Sequence, residues 1–373
     1  MSDLSSVSAL GGRTTSQLPI GWYFDPRIYE LEKRLLFDAG ANYAGHELMT
    51  PEAGDYQSLA WAGDSKALVR NHKGIALLGN ICRHRQAVML QGRGKSKNIV
   101  CPLHRWTYGL DGKLLGAPHF SQNPCLDLAT TPLTNWNGLL SAGQRDVARD
   151  FANLGVARDL DFSGFMFDRM EIEEYQCNWK TFIEVYLEDY HVDPFHPGLG
   201  GFVNVADLKW EFGDWYSVQT CGVKNGLAKP GSATYKNWHE QVMRYREGKT
   251  PAHGAIWLTY FPALMVEWYP HVLVVSNIIP RGPDACTNVI EFYYPEDIAL
   301  FEREFIEAER AAYIETAIED REICERMTAG RKALYLQGAN DAGPYQSPME
   351  DGLQHFHEFL RREIAPHLPG AAE

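Results

Sequence analysis

The sequence has little that would place it in a membrane, on a nucleic acid or inside a disulfide framework. Its longest apolar stretch, Trp257 to Pro280, is interrupted by Pro262, Glu267, Pro270 and His271, so it cannot cross a bilayer as one helix and reads as strands. No basic segment followed by an apolar one opens the chain, and no signal peptide is expected. Positive charge is in deficit: 35 Lys and Arg face 48 Asp and Glu, a formal net charge of −13, which argues against a nucleic-acid partner. Cysteines number seven, without regular spacing, and a reduced cytoplasmic protein is expected. No G-x-G-x-x-G follows a strand-like run, so no dinucleotide or flavin fingerprint is visible. Internal repeats and low-complexity segments are missing as well. What remains is an ordinary apolar and charged content over 373 residues, long enough for two domains with their own cores.

Against that background, two short clusters of metal-binding side chains stand out. The first is Cys82-Arg83-His84 followed by Cys101-Pro102-Leu103-His104. Two thiols and two imidazoles also make a zinc set, but zinc sites of this composition usually pair Cys with Cys and His with His along the chain. Here each loop supplies one of each, as required when both loops must touch both irons of a [2Fe–2S] cluster with Cys on one iron and His on the other. Neutral imidazole in place of thiolate stabilises the reduced cluster and raises its potential. The other cysteines, Cys125, Cys177, Cys221, Cys286 and Cys324, are expected to be small buried apolar groups. From Arg70 to Lys113 nine Lys or Arg accompany a single acid, Asp111. Such an island either steers an acidic electron donor, or only tunes the reduced cluster or faces a neighbouring subunit.

The second cluster is Glu188, His191 and His196, in a run that opens with Asn178-Trp179-Lys180. A helix from Asn178 towards Pro194 would place Glu184, Glu188 and His191 on one face, and Pro194 would end it so that His196 turns back to His191. Two imidazoles and a carboxylate are the set that holds Fe(II) with open positions for O2. The carboxylate must come from elsewhere. Asp320 is the best candidate, because on a helix over 301–327 it shares the apolar side with Tyr313, Ala317, Cys324 and Met327, where a lone acid is costly. Glu319 and Asp341 are the fallbacks.

The segments C-R-H-R, C-P-L-H-R-W-T-Y-G-L-D-G and N-W-K…E-x-x-H-x-x-x-x-H together resemble the Rieske-type non-haem iron oxygenases, the ring-hydroxylating oxygenase large (alpha) subunit family. The resemblance runs from about Trp22 to Phe359. It implies an α+β protein: an N-terminal helical segment (1–40) packing on the catalytic domain, a small all-β Rieske domain (41–150), and a larger α+β catalytic domain (151–373) with an antiparallel sheet and flanking helices. It further implies a [2Fe–2S] Rieske cluster on Cys82, His84, Cys101 and His104, a mononuclear Fe(II) on His191, His196 and Asp320, and Glu188 as the residue linking the two sites between subunits. A separate NAD(P)H reductase or ferredoxin and a homotrimer, or a multiple of it, follow from the same resemblance. Most of the family has Asp where Glu188 stands, and Asn where Val185 stands. The Glu variant is similar to the branch that oxidises quaternary amines such as betaines or carnitine.

The expected function is a terminal oxygenase that hydroxylates or oxidatively demethylates a small organic substrate. An aromatic compound is the first reading, a quaternary amine the alternative, and a Rieske electron carrier the third. A carrier needs only about a hundred residues, far fewer than this chain has. The pocket is expected to be lined by Leu199, Phe202, Val203, Trp257, Tyr260, Leu264, Val266, Val275 and Asn277. Substrate choice is expected to reside in 227–250, where the resemblance is weakest.

Overall fold

The computed structural model describes residues 16–368. Residues 39–149 form one compact unit, and the described residues on either side of them form a second.

The smaller unit is built from short antiparallel strands. Asp55–Ser58, Lys66–Asn71 and Gly74–Gly79 are the centre of a five-stranded sheet edged by Arg93–Lys95 and Thr130–Thr131. The hairpin between Lys66–Asn71 and Gly74–Gly79 turns where Asn71 Oδ1 accepts the Lys73 amide at 2.8 Å. Gly74 takes φ +129°, a conformation glycine adopts freely. A second sheet pairs Ile99–Val100, Thr107–Tyr108 and Leu114–Gly116. A third pairs Ala41–His46, Leu139–Gly143 and Thr134–Trp136. Val69, Leu78, Ile99, Trp106, Tyr108 and Leu114 fill the core beneath Cys82 and Cys101.

The larger unit is an antiparallel sheet carrying helices. Its strands are β1 (Phe165–Tyr175), β2 (Val203–Gly213), β3 (Tyr216–Val223), β4 (Ala255–Tyr260), β5 (Leu264–Tyr269), β6 (Val272–Gly282) and β7 (Ala285–Pro295), in the order β1-β7-β6-β5-β4-β3-β2. Its α-helices of seven or more residues are α1 (Pro26–Glu32), α2 (Trp179–Tyr186), α3 (Ala233–Tyr245), α4 (Arg303–Leu336) and α5 (Asp351–Ile364). Asn178 caps α2 by accepting the Lys180 amide at 2.9 Å, and Ser232 caps α3 by accepting the Tyr235 amide at 3.1 Å, each satisfying an orphan donor of a first turn. The N-terminal segment packs into this unit: Leu18, Trp22, Tyr23 and Ile28 share a core with Trp179, Ile183, Phe356 and Phe359. Among the described residues no helix is long and apolar enough to cross a membrane.

Several local expectations are corrected. Within the N-terminal helical segment, Pro26–Glu32 is α-helical and the chain continues as a π-helix over Lys33–Asp38. The helix expected over 301–327 begins at Arg303 and runs on to Leu336. The helix from Asn178 stops at Tyr186, so Glu184, Glu188 and His191 do not share a helix face. Pro194 instead sits third in a four-residue helix, Val192–Phe195, where its missing N–H is one that has no intrahelical partner anyway. Cys125 is exposed, whereas Cys177, Cys221, Cys286 and Cys324 are buried.

Glu184 belongs to the core rather than to a metal. It lies 2.5 Å from Arg331, 2.9 Å from His357 Nε2 and 2.5 Å from the Tyr23 hydroxyl. Burial alone would raise its carboxyl, but Arg331, His357 and Tyr23 outweigh burial and hold it at about 2. Nearby, Lys180 and Glu32 form a buried pair at 2.6 Å, and Glu32 also accepts the Trp179 indole N–H at 3.0 Å. These ionic contacts tie α1, α2, α4 and α5 together below the loop that carries His191.

Candidate metal centres

The two loops of the smaller unit are built alike. In the first, the Cys82 amide donates to Ala87 O at 2.9 Å and the Gln86 amide to Cys82 O at 3.0 Å. In the second, the Cys101 amide donates to Trp106 O at 2.8 Å and the Arg105 amide to Cys101 O at 3.1 Å. Gln86 and Arg105 both take left-handed φ, +53° and +61°. Each loop therefore buries its sulfur at the base and lifts its imidazole. Cys82 and Cys101 are buried, His84 is half-buried and His104 exposed.

The four side chains do not converge on one point. Among the described residues the only group of three His, Cys, Asp or Glu whose ligand atoms all lie within 4.8 Å of one another is found elsewhere. The sulfurs instead neighbour each other, and the His84 and His104 rings lie 4.7 Å apart between centroids. A mononuclear zinc would gather all four ligands within bonding reach. Two sulfurs at one end and two imidazoles at the other suit two irons.

The chemistry of the donors agrees. His84 Nδ1 is buried without a hydrogen-bond partner, and the ring stacks on Trp106 at 5.0 Å. Desolvation first, then His104 and Arg85, pull His84 below its ordinary range, which favours the neutral imidazole a metal requires. Burial alone would raise the Cys82 thiol. The His84 amide, the Tyr108 hydroxyl, Cys101 and the Arg85 amide outweigh it and hold the thiol below its usual range. In the same stretch Arg83, Arg85, Arg105 and Lys113 are exposed. Lys95 is instead paired with Glu52, and Arg70 is bound to main-chain oxygens of Thr50 and Glu47.

In the larger unit His191, His196 and Asp320 form the compact group. The two Nε2 atoms are 3.0 Å apart, and Asp320 Oδ1 lies 3.0 Å from His196 Nε2 and 3.6 Å from His191 Nε2. Both Nδ1 atoms are engaged from behind: His191 by Glu188 Oε1 at 2.5 Å, His196 by Glu319 Oε2 at 2.7 Å. Glu188 Oε2 also accepts the His191 amide at 3.1 Å. Carboxylates in this position fix the tautomer and turn Nε2 towards a metal. Burial alone would raise Asp320, but hydrogen bonds from the two imidazoles hold it at about 2. Conversely, burial would lower His191, yet Asp320 and Glu188 raise it to about 10. The donor set of two imidazoles and one carboxylate with open positions fits Fe(II). Of the fallback ligands, Glu319 stands behind His196 and Asp341 is exposed in the loop after α4.

A cavity of about 100 Å³ opens on this group. Of the expected lining, Leu199, Phe202 and Trp257 are there, whereas Val203, Tyr260, Leu264, Val266, Val275 and Asn277 are not. The reason is strand parity. On β5 the cavity takes Met265, Glu267 and Tyr269, and on β6 it takes Ser276, the residues between those expected; a one-residue slip reverses the face of a strand. The segment 227–250 contributes Tyr235 and Trp238 from α3, and α4 contributes Glu309, Ala312, Tyr313, Thr316, Ala317 and Asp320. The sequence reading missed Glu267 and Glu309. Glu267 carried a signal, as an acid inside an apolar strand, but it was read only as an interruption.

Comparison with known proteins agrees with this anatomy. A Rieske [2Fe-2S] domain model matches residues 44–132 and a ring hydroxylating alpha subunit (catalytic domain) model matches 156–365. The putrescine 2-hydroxylase of Ralstonia nicotianae is 62% identical, over 97% of this chain and 99% of that protein. That of Bordetella bronchiseptica is 55% identical, over 93% and 84%. The quaternary ammonium Rieske monooxygenase CntA in complex with L-carnitine aligns with a TM-score of 0.73 at 18% identity, over 94% of this chain and 96% of that one.

Proposed function

This chain belongs to the family of Rieske-type ring-hydroxylating oxygenase alpha subunits, oxidoreductases with a [2Fe–2S] cluster and a mononuclear iron, and from that premise we propose that it hydroxylates a short aliphatic amine, with putrescine the first candidate. The observation that carries the reading is the cavity beside His191, His196 and Asp320. Its lining holds Glu188, Asp189, Glu267, Glu309 and Asp320 but, among the described residues, no Lys or Arg. An acidic, aromatic-walled cavity selects a cation and disfavours an aromatic acid. The identity to putrescine 2-hydroxylases supports the same substrate class.

In this reading Cys82 and Cys101 hold one iron of the cluster, His84 and His104 the other, and His191, His196 and Asp320 hold the mononuclear iron. Together these groups supply single electrons and activate O2. The balance is one C–H converted to C–OH, with O2, two electrons and two protons consumed and one water released. The electrons come from a separate reductase or ferredoxin. Glu188 and Glu319 keep the ligand imidazoles oriented, and the walls from Phe202, Tyr235, Trp238 and Trp257 exclude water from the reacting carbon. A ring of three chains, in which Glu188 lies between the two kinds of centre of neighbouring subunits, completes the proposal.

A quaternary amine is the second reading, favoured by Glu188 and by the aromatic lining (Tyr186, Tyr235, Trp238, Tyr269), which could enclose a trimethylammonium group. The test is turnover of the reduced holo-protein with O2 and putrescine, carnitine, choline or benzoate, followed by mass spectrometry. The reading expects one hydroxylated putrescine per O2 consumed under coupled conditions. Product from benzoate or carnitine with none from putrescine would refute it.

A further inference from the structure

Of the cavity's five acids, Asp320 belongs to the metal group, Glu188 braces His191 and Asp189 accepts the Cys221 thiol at 3.3 Å; Glu267 and Glu309 are left. Glu267 lies on β5, and its Oε2 accepts the Tyr269 hydroxyl at 2.7 Å while its Oε1 accepts those of Tyr313 at 3.0 Å and Ser276 at 3.5 Å. The Tyr269 oxygen in turn accepts the Trp257 indole N–H at 2.9 Å. Glu309 lies on α4, one turn before Tyr313, and accepts the Tyr294 hydroxyl at 2.5 Å. The two carboxylates are 2% and 3% exposed. Every side chain hydrogen-bonded to them in these contacts is a neutral hydroxyl. Arg169, the guanidinium that acts on Glu309, is itself bound to Asp168 and Glu307. A buried carboxylate normally has a cationic partner, because hydroxyls alone do not offset its desolvation.

Two further atoms in the same cavity wall lack partners. Asn288 is 3% exposed, and its Oδ1 is buried with no hydrogen bond. The Tyr186 hydroxyl is likewise buried and bare. A bare amide oxygen needs a donor, and a carboxylate cannot supply one. An ammonium brings three N–H donors and a positive charge, which is the complement of this wall.

Resting on the amine-hydroxylase reading, we infer that Glu267 and Glu309 are the two ammonium anchors of the cavity, so that it selects a short α,ω-diamine over a monoamine or a quaternary amine. Two acids that repel each other in one dry cavity are both relieved by a dication and only one of them by a monocation. Glu309 lies one turn before Tyr313, the partner of Glu267, on α4, and Asp320 lies farther along the same helix, so Glu267 is the acid nearer the iron ligands. Neither acid touches a ligand imidazole, so both are specificity-determining rather than catalytic.

The test uses iron-loaded holo-protein under anaerobic conditions, with putrescine and 1-butylamine titrated by calorimetry into the wild type, Glu267→Gln and Glu309→Gln. Wild type should bind putrescine at least about 30-fold more tightly than 1-butylamine, the scale of one desolvated charge pair. Glu309→Gln should reduce that preference to within about threefold while leaving 1-butylamine binding nearly unchanged. Glu267→Gln should weaken both amines. Cluster absorbance and thermal midpoint establish that each variant is folded. Should either Gln variant fail to fold, Tyr294→Phe and Tyr313→Phe keep the charges and unbrace them: the first should weaken putrescine more than 1-butylamine, and the second should weaken both. A Glu309→Gln protein that keeps its diamine preference, or unchanged putrescine binding in Glu267→Gln, overturns the inference. If wild type hydroxylates putrescine and both Gln variants match it, only the anchors are wrong. If wild type turns over no amine, the functional reading itself fails.

Discussion

The two candidate metal centres solve opposite problems with overlapping ligand types. The cluster loops lie within 23 residues of sequence, repeat one backbone design, and carry a half-buried and an exposed imidazole, each followed directly by an exposed arginine. The mononuclear group joins residues more than 120 apart, buries His196 completely, and surrounds the imidazoles with acids. His84 Nδ1 has no partner, whereas both Nδ1 atoms of the mononuclear group are held by carboxylates. Positive surroundings and neutral ligands favour an added electron and suit a store. An anionic, braced set favours a divalent ion and fixes the positions left open for reaction.

That contrast can be broken one side at a time. The largest effect is expected from Cys101→Ser, which should remove the cluster's visible absorbance and abolish product formation while leaving one iron bound. Loss of all iron would show that the centres are not independent. Next come Glu188→Gln and Glu319→Gln, which remove the groups bracing the imidazoles. Each should weaken iron binding at the mononuclear group about 10- to 100-fold and leave the cluster spectrum unchanged, as measured by competition with a chelator. Glu184→Ala should cost about 3–5 kcal/mol of stability in the larger unit, since it strands Arg331 in the core. Denaturant unfolding followed by tryptophan fluorescence reads that loss, and the cluster absorbance of the folded variant should match wild type.

The smallest effect concerns pH. Burial raises Glu267 to about 7, against the hydroxyls of Tyr269, Tyr313 and Ser276 and with help from Asp320. Burial also raises Glu309 to about 8, with Tyr294 and Arg169 opposing and Glu267 and Asp168 reinforcing. A carboxyl raised on folding binds more protons in the native state. Its contribution therefore falls as pH rises from the ordinary carboxyl range, about 4.5, through 7 to 8. A bound diamine offsets that loss. The putrescine-induced rise in thermal midpoint should thus be larger at pH 8.5 than at pH 6, and the difference should vanish in a Glu267→Gln, Glu309→Gln protein. An equal rise at both values would contradict it.

How much was legible in the sequence follows the same division. The cluster loops could be read directly because their ligands are local and their order is unusual. His191 and His196 were legible from spacing, although the helix supposed to present them ends at Tyr186; a turn and a short helix do the work instead. Asp320 was found from its place on the apolar side of α4. The cavity was not legible in detail. Strand parity on β5 and β6 depends on partners across the sheet, such as Glu267 opposite Val274 and Met265 opposite Ser276, and a continuous apolar run has no alternation to reveal it. Glu309 was hidden because an acid on a charged helix is unremarkable until the sheet that covers it is known.

The most direct test of the central claim is iron analysis with EPR of the reduced protein, comparing wild type with His191→Ala. The account predicts about three irons per chain in wild type and about two in the variant, with the same reduced-cluster signal in both. Zinc in place of iron, or a cluster signal that disappears with His191, would contradict it.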